Sequence, residues 1–385
     1  MTLDSLRPTA LPWRLLERRW ILFLVILTVY VSTANYNFIS IDVIAAEVPA
    51  WSFATTGQLD INAISHPALP FFFHHGGGIY SDRFPGAIAF LVPAYWVAAL
   101  AGVTEFTIIP GAIAAAVVTA FAVLVMNEVY GLTLSSRRSV QVATLFTAFG
   151  TGAWSLCANA PWSHSLDFLL LALGLWALAG NRIILAGVAF GGVVLTRPQW
   201  AVAFAALGLA LSMFERSIRP ALKIALGMLP GVVLLTAYNG VLFGRWGPSN
   251  GNELGGRIAV LWWEFPVNVL GGLFSPTWGL LFFYPVVFLC AIALPRVFRK
   301  APPWQKAAAV GGTCGIVVQL LLNRYSGGSG FVGPRLWVET LVLWAPLLAA
   351  SAKQYCADHP PSKIVPILVC GGVLIHGVGA FSFPF

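Results

Sequence analysis

The chain has 385 residues, 58% of them hydrophobic and 9% charged, with 15 Trp, 27 Phe and a mean hydropathy of +0.82. That balance excludes an ordinary soluble domain and matches a multi-span helical membrane protein with no separate soluble domain. The net charge of +8 raises nucleic acid as a partner, but basic residues at helix ends are what membrane insertion requires, so the charge points to orientation and to no nucleic acid.

In chain order, the basic N-terminus MTLDSLRPTALPWRLLERRW leads into an apolar run at 20–36. It has no small-residue cleavage site and more apolar runs follow, so an uncleaved first span is expected. Further spans are expected near 107–127, 140–157, 167–180, 183–196, 199–214, 224–243, 278–295, 307–323, 337–351 and 364–382. The predicted fold class is all-α, a polytopic transmembrane bundle of about eleven spans forming one domain over 1–385.

One apolar stretch is left over, 86–101, directly behind GGGIYSDRFPG. If it spans, every later loop changes sides. If it does not, the cytoplasmic side holds Arg7, Arg14, Arg18, Arg19, Arg137, Arg138, Arg182, Arg216, Arg219, Lys223, Arg296, Arg299, Lys300, Lys306, Lys353 and Lys363, sixteen of the 22 basic residues. If it does, only nine of the 22 lie inside. Lys and Arg collect in cytoplasmic loops, which selects the first topology. Length agrees: sixteen helical residues reach about 24 Å against a hydrocarbon core of about 30 Å. The stretch is therefore predicted to lie in the outer interface, bent at Pro93, with Tyr95 and Trp96 at headgroup depth. The N-terminus is then inside, the C-terminus outside, and two long loops, 37–105 and 244–278, face out.

Six arginines remain outside: Arg83, Arg197, Arg245, Arg257, Arg324 and Arg335. Nearly all have Gly or Pro within two residues, where a helix end can project a guanidinium into a shared cavity suited to phosphate. The plainer alternative is snorkelling at span ends. The outer acids are Asp42, Glu47, Asp60, Asp82, Asp167, Glu253, Glu264 and Glu339. Asp42, just past the first span, is placed to take a proton from an attacking hydroxyl; its alternative is capping the helix that starts at Val43. His66, His74, His75 and His164 also face out, but no HExxH or similar spacing occurs, so phosphate or hydroxyl contact is favoured over a metal. The five cysteines are scattered and suggest neither disulfides nor zinc. No GxxxxGK[ST] loop is present, and no ionisable residue is expected in mid-span, which weighs against an ion-coupled carrier.

An acid just beyond the first span, a long outer loop with interfacial helices, the SDRFPG segment, a second long loop after the seventh span, TRPQ and GPRLW together resemble the GT-C superfamily. These are integral-membrane glycosyltransferases that use polyprenyl-phosphate-linked sugars, among them protein mannosyltransferases and lipid A aminoarabinose transferases. The sequence departs from many of them in having Val43, not a second acid, after Asp42. The resemblance implies an enzyme of the bacterial plasma membrane moving a sugar at the outer face from a polyprenyl-phosphate donor to a hydroxyl on a glycan, lipid or protein, without a cofactor. It would make Asp42 the base and give the donor phosphate to Arg83, Arg335 and Arg197; Glu47, Asp82, His66, His75, His164 and Tyr80 are candidate substrate contacts from their outer position alone. The rival expectations are a lipid-linked substrate carrier or flippase, and a non-catalytic assembly protein.

Overall fold

A computed structural model describes residues 13–37, 40–62, 64, 71–247, 262–328, 330–360 and 363–382, with side chains from Arg19 onward. His66, Glu253 and Arg257 lie outside the described residues. The order is α1 (Trp13–Thr33), α2 (Ile41–Thr56), β1 (Phe72–His75), β2 (Gly78–Ser81), α3 (Pro85–Ala89), α4 (Val92–Leu100), α5 (Ile109–Thr133), α6 (Arg137–Phe149) and a π-helical turn, Ala153–Cys157. Then come α7 (Ser163–Ala179), α8 (Ile183–Thr196), α9 (Trp200–Phe214), α10 (Arg219–Phe243), α11 (Phe265–Phe274), α12 (Leu280–Phe283), α13 (Pro285–Lys300), α14 (Pro303–Leu322), α15 (Val338–Asp358) and α16 (Ile364–Phe381).

A helix stands at each of the eleven expected span positions, and five are long and apolar enough to cross a membrane: α5, α10, α14, α15 with its preceding turn, and α16. The other six are shorter or more charged. On α10 the apolar residues Leu222, Leu226, Leu229 and Val233 form an exposed stripe at helical spacing. Water would penalise such a stripe and lipid accepts it, so the chain reads as an all-α membrane protein.

Some expectations are corrected. The run 140–157 is not one helix, because α6 stops at Phe149 and the chain re-forms as the π turn. Residues 86–101 form two helices, α3 and α4, with Pro93 in the first turn of the second. Trp96 is exposed as expected, but Tyr95 is buried and donates its hydroxyl to Glu47 Oε1 at 3.1 Å. An ionisable residue does sit within a long apolar helix: His376 is buried in α16, its Nδ1 2.8 Å from Ser155 Oγ. A single His in so apolar a run leaves the hydropathy high, which hides it. One two-stranded hairpin interrupts the helices, because Gly76 and Gly77 at φ 56° and 86° make the two-residue turn in which both centres need positive φ.

Connections between the long helices are short, so they alternate in direction and sort their ends into two groups. One end holds the exits of α1, α8 and α14 and the starts of α2, α7 and α15. The other is marked by Lys353 Nζ on Ser135 Oγ at 2.6 Å and by Arg296 on Asp358 at 2.7 Å.

The tightest helix pair is α8 against α10. Gly187 and Gly191 on one face Gly227 and Gly231 on the other, a small-xxx-small spacing on both helices. A Cβ on Gly191 would come within 2.9 Å of the Met228 carbonyl, so the backbones touch. Gly227→Leu should separate the two helices, costing roughly 1–3 kcal/mol through overpacking, and should lower the melting temperature in detergent by several degrees. An unchanged melting temperature would show that this contact is dispensable.

Candidate functional site

Ser40, not Asp42, caps α2: its Oγ accepts from the Asp42 amide at 3.3 Å. That leaves the Asp42 carboxylate in the first turn free to point outward from the helix end. Two arginines reach it. Nη1 of Arg83 lies 3.3 Å from Oδ1, and Nη1 and Nη2 of Arg335 both lie 3.3 Å from Oδ2. Residues 42, 83 and 335 thus meet at one point, partly open, with the three side chains between 17% and 27% exposed.

Each arginine is held from behind. The hairpin delivers Arg83: Ser81 Oγ donates to the Ala45 carbonyl on α2 at 2.5 Å and accepts the Arg83 amide at 3.2 Å. The Tyr238 hydroxyl on α10 reaches the Arg83 carbonyl at 3.5 Å. Asp82 takes the other side of the guanidinium, 2.9 Å from Nε and 2.8 Å from Nη2, and the Phe71 ring lies beneath it at 4.0 Å. This explains why two charges stand together before an apolar run. Arg335, in the turn before α15, lies over the rings of Trp162 at 4.6 Å and Phe331 at 5.1 Å, contacts that favour a cation. Its Nε is buried and lacks a hydrogen-bond partner among the described residues.

Charge-assisted N–H···O bonds are commonly about 2.7–2.9 Å. Asp42 therefore holds both arginines loosely, and Arg335 keeps donor capacity in reserve. Arg197 differs. At the C-terminus of α8, its Nη1 is 2.6 Å from Glu339 Oε1, with Arg197 9% and Glu339 0% exposed. His164 Nδ1 contacts the same oxygen at 2.6 Å. Asp167, one turn further along α7, accepts from Thr196 Oγ1 and lies within electrostatic reach of both Glu339 and Arg197. Removing one member of such a buried pair costs about 3–5 kcal/mol, so this second network ties α7, α8 and α15 together beneath Arg335.

The structure therefore brings Asp42, Asp82, Arg83 and Arg335 into one cluster and places Arg197 and His164 in the buried network behind it. His75 is exposed on β1 and Tyr80 partly exposed on β2; among the described residues no hydrogen bond or ion pair joins either to Asp42. Sequence reasoning did not single out Glu339, Asp167, Tyr238 or Trp162 as site residues. Glu339 pairs with Arg197 across 142 residues, a contact that no local spacing signals.

Glu47 lies fully buried on α2, against Gly111 of α5 and Tyr95 of α4. Burial pushes its carboxyl well above the usual carboxylate range, and the Tyr95 hydroxyl offsets this only in part. A raised folded-state pKa means that stability is lost as the pH climbs above the unfolded value of about 4.5. Glu47→Gln keeps an acceptor for Tyr95 and cannot ionise. It should melt higher than the parent at pH 8, with the advantage shrinking to nothing near pH 4.5; a pH-independent difference would contradict this origin.

No protein-family model matches the chain, and no curated protein matches it. Among solved structures it is similar to the crystal structure of the Archaeoglobus fulgidus oligosaccharyltransferase tethered through a disulfide to an acceptor peptide containing the NVT sequon. The identity is 12% and the TM-score 0.42, over 94% of this chain and 54% of that one. The chain thus spans about half the length of that protein. A likeness this distant fixes neither a residue's role nor an activity for this chain.

Proposed function

We propose that the protein is a membrane glycosyltransferase of the GT-C kind, moving a sugar from a polyprenyl-phosphate donor to an acceptor hydroxyl at the outer face of a bacterial plasma membrane. The observation that carries this reading is the meeting of Asp42, Arg83 and Arg335. One carboxylate and two guanidiniums, from segments 41 and 293 residues apart, converge in a partly open, aromatic-lined site. Arginines serving only as lipid anchors would have no reason to converge, which weighs against the assembly-protein reading.

The chemistry follows from the geometry. A polyprenyl-phosphate sugar leaves its prenyl chain in lipid and presents its phosphate at the interface. Arg335, loosely held and with an unpartnered Nε, is the first ligand for that phosphate, and Arg83 is the second. Arg197, engaged by Glu339, supports Arg335 from behind. Binding the phosphate draws both guanidiniums away from Asp42, whose freed carboxylate accepts the proton of the acceptor hydroxyl as its oxygen attacks the anomeric carbon. The bond from that carbon to the phosphate oxygen breaks, the electron pair leaves with the phosphate, and the two fixed cations stabilise the charge that grows there. Asp82 holds Arg83 by Nε and Nη2 while its Nη1 turns from Asp42 to the phosphate.

Transfer is read as release of polyprenyl phosphate by purified protein in nanodiscs, with membrane extract supplying the acceptor. Asp42→Asn should lower turnover by about 100-fold or more with folding intact. Arg335→Gln should lower it by about 100–1,000-fold, and Arg335→Lys should restore only part, because an ammonium lacks the planar fork. Full turnover in Asp42→Asn would remove the base assignment.

A further inference from the structure

Among the described residues, a cavity of about 710 Å3 lies away from Asp42, between α5, α6, α13, α15 and α16. That is within the range of roughly 300–1,000 Å3 typical of small-molecule sites. Its walls are apolar, with Phe146, Cys290, Ala345 and Val369 representative. Among the described residues, the charged ones lining it are Arg138 and Lys353, and none of them is a carboxylate. Both cations are exposed, and they sit at the end of the bundle opposite the Asp42 cluster, where Lys353 Nζ touches Ser135 Oγ at 2.6 Å and Ser136 caps the start of α6.

We propose that this chamber is a lipid site in which an acyl chain of an anionic phospholipid fills the apolar interior while its phosphate rests on Arg138 and Lys353. A chain already dissolved in the bilayer gains little by entering another apolar space, so selectivity must come from the headgroup. Two cations, with the N-terminal amides of α6 beside them and no competing acid, select a negative one. The arginines of the Asp42 cluster do not line the cavity, which assigns the phosphate to the Arg138 end and makes this site distinct from the one that would take a polyprenyl-phosphate sugar. Its upper end is lined by Gly152, Tyr284 and Val338. Gly152 donates to the Tyr284 hydroxyl at 2.6 Å, and Val338 opens the helix that carries Glu339. A seated chain therefore packs beneath the elements that support the outer site.

The test is native mass spectrometry of the full chain after exchange into detergent with phosphatidylglycerol or phosphatidylcholine. The expected result is preferential retention of phosphatidylglycerol by about tenfold or more. The double variant Arg138→Gln, Lys353→Gln should lose the preference, and Ala345→Phe, which fills the chamber but keeps both cations, should reduce retention of either lipid. Arg335→Gln, whatever it does to sugar transfer, should leave the retention of both lipids unchanged, because Arg335 does not line the chamber. Equal retention of the two lipids, undiminished retention in Ala345→Phe, or loss of retention in Arg335→Gln alone would overturn the proposal. The readout is binding and not sugar transfer, so its failure is separable from that of the glycosyltransferase reading.

Discussion

Asp42 faces two guanidiniums that arrive from different parts of the chain, and each of those guanidiniums brings a constraint with it. Arg83 can reach α2 only if the hairpin closes over Gly76 and Gly77 and its base is stitched to Ala45. Arg335 can reach it only if the turn before α15 packs on Trp162 and Phe331. In a bundle this poor in ions, two cations left unmatched near an apolar interior would be costly; Asp42, shared between them, and Asp82 on Arg83 offset that cost and leave Nε of Arg335 without a partner among the described residues. The contacts of 3.3 Å are the mark of that compromise.

The rest of the fold holds this meeting point steady. Glycines at matched spacing let α8 and α10 touch backbone to backbone, and α8 ends in Arg197 while α10 presents Tyr238 to the Arg83 carbonyl. Arg197, Glu339 and His164 form a buried group with 2.6 Å contacts, shorter than the 3.3 Å contacts that Asp42 makes with Arg83 and Arg335. The exit of α1 is fixed as well: the Asn35 amide donates to the Asn159 carbonyl at 2.8 Å, and Asn159 Nδ2 donates to the Thr33 and Ala380 carbonyls. Under the proposed function, a tight inner network below a looser outer one suits a phosphate that enters and leaves.

Much of this was legible in the sequence. Hydropathy located a helix at every expected position, and the scarcity of charge made Asp42, Arg83 and Arg335 conspicuous before any geometry was known. Three kinds of feature were hidden. The hairpin was hidden because FFHHGGGIYS has too few residues to show alternation. The break after Phe149 was hidden because the run beyond it stays apolar. The pairings of Arg197 with Glu339 and of Glu47 with Tyr95 were hidden because they are long-range contacts, 142 and 48 residues apart, that local spacing cannot report. Tyr95 shows the limit well: an aromatic in an interfacial helix reads as a headgroup anchor until a buried carboxyl is found beneath it.

The most direct measurement is a structure of the protein with polyprenyl phosphate bound. The account predicts phosphate oxygens at about 2.7–3.2 Å from the guanidiniums of Arg335 and Arg83, with the Asp42 carboxylate released from both and open to the acceptor side. A phosphate bound elsewhere, with Asp42 still closed on Arg335, would contradict it.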